Sequence, residues 1–160
     1  MSELATYRDY LGHFRGVLRR QCEGLSPEQL ARPAVPPSDL SLLGLVRHLG
    51  RVEHYWFRMV LEEHLEESML DSADPTGGFH SIAPTADSVT ESLARWDEQI
   101  AYADACLDTL GDADLAAIRR TRHGEEVPIR DVLVHMIEEY ARHCGHGDLL
   151  REVLDGRTGL

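Results

Sequence analysis

Basic charge is scarce in this chain: 16 basic side chains, all arginine, face 28 aspartates and glutamates, leaving a net charge of −12. Nucleic acids and anionic membranes are held by concentrated lysine and arginine, so neither is expected as a partner. No apolar run reaches the roughly 18 residues of a membrane span, and the N-terminal stretch MSELATYRDY lacks a basic and then apolar signal. A cytoplasmic, soluble protein is therefore expected. Cysteine is sparse too. Cys22, Cys106 and Cys144 are an odd, scattered set without a CxxC pair, which argues against a disulfide framework or a thiolate zinc site and predicts reduced thiols. What the chain does have is 42% apolar residues over 160 positions, enough for one core, and a single domain over residues 1–160 is expected.

Strand signal is slight and four long helical patterns dominate. Leu4, Tyr7, Leu11, Phe14 and Leu18 recur at three- and four-residue steps and predict a first helix over residues 3–22. Prolines interrupt residues 24–39, where Ser26-Pro27-Glu28-Gln29 has the form of a capping box with proline at the first helical position and predicts one short turn of helix. A second helix is predicted from Ser41 to near His64 with Leu42, Leu45, Leu49, Val52, Trp56 and Met59 on one seam. Residues 65–86 carry Asp74-Pro75, Gly77-Gly78 and Ala83-Pro84, which predict a long loop of the kind that often serves function. A third helix follows over residues 87–110, with Leu93, Trp96, Ile100, Ala103, Leu107 and Leu110 on its core face. Residues 111–128 read as a polar connection. Pro128 suits the first position of a fourth helix running to about Leu154 and stopped by Gly156. The sum is an all-α four-helix bundle.

The fourth helix carries the chemistry. At about 100° per residue, Val132, His135, Glu139, His143, His146, Leu150 and Val153 fall within roughly 40° of one direction, so one face mixes core aliphatics with a carboxylate and imidazoles. Burying an unpaired carboxylate is costly, so such a face is exposed, paired or metallated. Glu139 and His143 stand one turn apart and can reach one ion. On the second helix His48, between Leu45 and Val52, projects from the flank of the seam toward the interior; alone it would read as a hydrogen-bonded core histidine. Together the three make a two-nitrogen, one-carboxylate set that suits zinc, nickel or iron and leaves a coordination position open. His135 and His146 are alternative ligands on the same stripe, better placed as outer partners or on the rim. Arg47, Arg51 and Arg142 stand close in sequence to the ligands, where they could hold a charged cofactor. Trp56 is a core residue that could line a pocket mouth, Trp96 a core residue, His54 a surface residue, the run Glu62-Glu63 and Glu66-Glu67 a solvated helix end, and Cys144 a packing residue.

Residues 41–57 (SLLGLVRHLGRVEHYWF) and 135–152 (HMIEEYARHCGHGDLLRE) together resemble the DinB-like superfamily, and in particular its actinobacterial branch of single-domain mini-circle proteins. The resemblance spans nearly the whole chain, including GLSPEQL at residues 24–30 and the closing Leu154-Asp155-Gly156. It implies a four-helix bundle with long crossover connections and a divalent metal inside it. Most members use three histidines. Here Glu139 stands four residues before His143, which is similar to the pattern of mycothiol-dependent maleylpyruvate isomerase, and His48, Glu139 and His143 are the matching positions. The resemblance further implies a low-molecular-weight thiol such as mycothiol or bacillithiol as cofactor, and a homodimer, for which apolar residues on more than one seam, Tyr7, Phe14 and Trp96, offer secondary support. The isomerase carries an additional C-terminal domain beyond the length of this sequence.

Three functions stay open at this level: a metal-dependent thiol S-transferase acting on a small electrophile, a metal-assisted hydrolase in which Glu138 or His135 handles the proton, and a non-enzymatic metal- or ligand-binding protein.

Overall fold

Among the described residues the chain winds into five α-helices, α1 (Glu3–Cys22), α2 (Pro27–Ala31), α3 (Leu42–Glu53), α4 (Ala86–Asp108) and α5 (Ile129–Asp155), with a π-helical segment (His54–Leu61) continuing α3. This computed structural model describes residues 2–64, 79 and 82–159. Most of the expected loop over residues 65–86, with Glu66 and Glu67, lies outside the described residues. The four long helices form an all-α bundle in which α1 packs chiefly on α5 and α3 on α4, with α3 also against α5. That last pairing positions the site.

The helix ends follow the sequence cues. Ser26 accepts from the Gln29 amide and the Gln29 side chain accepts from the Ser26 amide, the reciprocal cap that starts α2. Gly156 closes α5 at φ 78°, a left-handed position that β-carbons resist. Other ends are closed from far away in sequence. Both carboxylate oxygens of Asp112 accept backbone amides of α1, from Glu3 at 3.0 Å and Leu4 at 2.9 Å. At the other end of α1, buried Arg151 donates to the carbonyls of Gln21 at 2.8 Å and Glu23 at 2.7 Å.

The second helix departs from expectation. Its α-helical part stops at Glu53, and the buried line runs through Leu42, Leu45, Leu49, Glu53, Phe57 and Val60, with Met59 buried as expected and Val52 and Trp56 only half-buried. The reason is polar. Glu53 is fully buried, accepting from Arg15 Nε and a terminal nitrogen of Arg15, each at 2.8 Å, and from the Tyr140 hydroxyl at 2.7 Å. Arg15 also reaches Asp104 at 2.8 Å, and Trp96 Nε1 donates to the Tyr140 hydroxyl at 2.8 Å. All four long helices thus meet at one polar cluster.

The connection before α5 is not featureless: a 3₁₀ turn (Asp112–Ala116) precedes β1 (Ile118–Arg120), which pairs antiparallel with β2 (Glu126–Pro128), Arg119 opposite Val127. Pro128 closes β2 and caps α5 rather than starting it. His54 is buried, not at the surface: it stands one turn after Gly50, which packs on Trp96 of α4, and its Nδ1 lies 3.2 Å from Gln99 Oε1 of the same helix. Trp96 is fully buried, so it cannot face a partner chain, and Val153 is exposed near the end of α5, although its neighbour Leu154 still packs on the core.

Candidate metal centre

Packing of α3 against α5 brings three side chains to one point. Glu139 Oε2 lies 3.5 Å from His48 Nε2 and 3.5 Å from His143 Nε2, and the three candidate donor atoms are all within 4.8 Å of one another. The group sits at the edge of the core: the His143 side chain is 8% exposed, Glu139 16% and His48 19%. Hydrogen bonding by His143 and then His48 outweighs burial and holds the Glu139 carboxyl far below the usual carboxylate range, so an anion faces two imidazoles.

The arrangement fits a divalent ion. Ligand distances of about 2.0–2.1 Å place neighbouring donors of a tetrahedral site about 3.4 Å apart, close to both carboxylate–imidazole separations. Nitrogen, nitrogen and carboxylate oxygen also suit a borderline cation, and three protein donors leave room for a further ligand. Among the described residues, His48, Glu139 and His143 are the one cluster with this geometry.

Outer partners surround the three. His146 Nδ1 lies 3.3 Å from His143 Nδ1, on the ring edge away from Glu139. Burial, and then the charges of His143 and Arg142, push His146 below its ordinary value, which favours a neutral acceptor. His135 Nε2 is 3.7 Å from the other Glu139 oxygen, with its side chain 40% exposed. Trp56 packs on His135 at a ring distance of 4.8 Å, and Phe79 stacks on His48 at 4.2 Å and 23°. Gly44 makes the Phe79 approach possible, since a β-carbon there would lie 2.9 Å from the Phe79 carbonyl oxygen.

The other expected residues spread out. Glu138 and Arg142 are exposed on α5, one turn apart and about 100° to the same side of the ligand line. Arg47 and Arg51 line a cleft of about 410 Å³ between α3 and α4, together with Thr85, Ser88, Glu91 and Arg95. Cys144 is buried with Sγ 3.5 Å from the Phe14 carbonyl oxygen, and burial pushes its thiol up to about 12. Sequence reasoning missed Arg15, Glu53 and Tyr140; the one available signal was a charge between Leu11 and Leu18 on the first apolar seam.

The model of a protein family described as mycothiol S-transferase matches residues 6–156. The chain belongs to the mycothiol S-transferase family. A crystal structure described as a conserved protein from Enterococcus faecalis shares the fold, with a TM-score of 0.67 at 16% identity over 98% of this chain and 99% of that one. No curated protein matches in sequence. Membership of the mycothiol S-transferase family and the shared fold bear out the DinB-like resemblance and the all-α bundle. Among the described residues, no helix is long and apolar enough to cross a membrane.

Proposed function

We propose that this member of the mycothiol S-transferase family is a metal-dependent thiol S-transferase, joining the sulfur of an intact low-molecular-weight thiol of the mycothiol type to a small electrophile as the S–H proton is lost. His48, Glu139 and His143 would hold the ion, and zinc suits the donor set best. The observation that carries the reading is the meeting of these three donors, from two helices, in a chain whose family match spans residues 6–156. A divalent ion there supplies thiol activation, stabilising as thiolate a group that is mostly protonated near its ordinary pKa of about 8.5.

The protein's own groups do the rest. Glu139 brings a fixed negative charge to two imidazoles, which favours a cation over an empty site. With His146 accepting from His143 Nδ1–H, His143 Nε2 would be left to the ion, in place of the proton it shares with Glu139 in metal-free protein. His135, at the exposed rim beside Glu139, is placed to take the thiol proton on Nε2 and release it to solvent. Trp56 and Phe79 give the electrophile apolar walls and exclude water from one side. Arg47 and Arg51, in the neighbouring α3–α4 cleft, bind the polar body of the thiol. A hydrolase would use the same donors, but Glu138 points away from them on the exposed face, and the family match favours sulfur transfer.

Elemental analysis of purified protein, followed by thermal-shift measurements with mycothiol, tests the proposal. Wild-type protein is expected to carry about one divalent ion per chain and to gain thermal stability with the thiol only when metallated, since a ligand that binds the folded state raises its stability by mass action. His48→Ala should lose stoichiometric metal and the thiol response together. Full occupancy in that variant would refute the ligand assignment, and an equal thiol response in metal-free protein would refute the role of the ion.

A further inference from the structure

We infer that Tyr140 and Glu53 are positioning residues for the candidate metal centre: their hydrogen bond sets the register of α3 against α5, so that His48 arrives opposite Glu139 and His143. The inference rests on the metal reading proposed above, which it extends to residues that touch no ligand.

Position in sequence gives the first reason. Tyr140 follows Glu139 directly and Glu53 lies five residues after His48, so the bond joins the two helices about 1.5 Å along α5 and about 7.5 Å along α3 from the ligands. Among the described residues it is the one hydrogen bond between α3 and α5 outside the site's own His48–Glu139 contact. The remaining packing between these helices is built on aliphatic residues such as Leu45, Leu49, Val132 and Met136, whose burial is favourable but non-directional. Metal coordination tolerates distance errors of about 0.2 Å, far finer than apolar contact enforces.

The anchoring of the pair gives the second reason. Glu53 is gripped at both oxygens by Arg15 of α1, Arg15 is tied to Asp104 of α4, and Trp96 of α4 donates to the Tyr140 hydroxyl. Tyr140 therefore receives one hydrogen bond and makes one, with its hydroxyl fixed between α4 and α3. Replacing a buried ion pair by apolar side chains is often neutral or stabilising, so stability alone is a weak reason for such a cluster, whereas setting geometry is an attested role.

The test compares Tyr140→Phe with Leu115→Ala, a core truncation in the 3₁₀ turn remote from the site. Zinc affinity is measured by competition with a chromophoric chelator, helicity by circular dichroism, and the approach of the His48 and His143 rings, whose centroids are 4.8 Å apart, by the nuclear Overhauser effect between them in metal-free protein. Tyr140→Phe is expected to keep its helicity, weaken zinc binding about tenfold or more and lose most of the ring–ring effect. Leu115→Ala is expected to melt earlier, yet hold zinc within about threefold of wild type, with the ring–ring effect intact. Zinc affinity of Tyr140→Phe within threefold of wild type, or an equal loss in Leu115→Ala, overturns the inference. If wild-type protein binds no zinc, the metal reading falls and the ring–ring effect decides alone: its persistence in Tyr140→Phe overturns the positioning role. Should Tyr140→Phe fail to fold, Trp96→Phe, which removes the donor that orients the Tyr140 hydroxyl, carries the same comparison.

Discussion

Three cysteines illustrate how little a residue type says without its surroundings. Cys22, Cys106 and Cys144 are buried, and desolvation pushes each thiol up to about 12, so none supplies a thiolate near neutral pH. Iodoacetamide at pH 8 should leave all three unmodified in native protein and label all three after unfolding; rapid native labelling of Cys144 would restore it as a nucleophile. Gly44 illustrates the reverse, a residue whose value is absence. Its added β-carbon would meet the Phe79 carbonyl oxygen at 2.9 Å, so Gly44→Ala must push the 79 backbone away and lift Phe79 from His48. Overpacking of this kind is destabilising by about 1–3 kcal/mol. The measurement is chemical denaturation together with the ring-current shift of the His48 imidazole protons, and both should change.

At the scale of the element, the ends of helices show where local rules stop. The capping box of α2 and the glycine after α5 act within a few residues, whereas α1, though locally capped by Ser2, is also held by the carboxylate of Asp112, more than 100 residues away. The amides of Leu4 and then Glu3 hold the Asp112 carboxyl below its usual range. A depressed folded-state value means that the contribution is present above the unfolded pKa of about 3.9 and is lost as pH falls through the folded one. Asp112→Asn should therefore melt below wild type at pH 7, and the gap should narrow as pH is lowered from about 4. A constant gap across that range, in thermal melts at fixed ionic strength, would show that the charge is not what matters. The seam of α3 makes the same point for periodicity. An α-helical seam drawn through Val52 and Trp56 misses the line that the core uses, because buried Glu53 is held by Arg15 and Tyr140.

At the scale of the molecule, scaffold and site are separable. The core is a continuous apolar cluster contributed by all four long helices, and the candidate ligands sit at its margin. Metal removal should therefore lower the melting temperature while leaving the helical circular dichroism in place, unlike a zinc finger, in which the ion supplies most of the folding energy. Collapse of the helical signal on chelation at neutral pH would show that the ion is a folding element.

Sequence by itself determined the helix count, the approximate limits of the long helices, the short capped turn at residues 26–31 and the face of α5 that carries Glu139 and His143. Those features are local, set by side-chain period, caps and turn residues within one stretch of chain. It also carried the family likeness, since the two motif blocks keep their order and spacing. Only the tertiary structure decided that His48 meets that face, that Phe79 covers His48, that Arg47 and Arg51 line a different cleft from the ligands, and that Arg15, Glu53 and Tyr140 bind four helices together. Each of these is a meeting of side chains from separate helices, and no period or cap within one helix records which residue of another will stand opposite it.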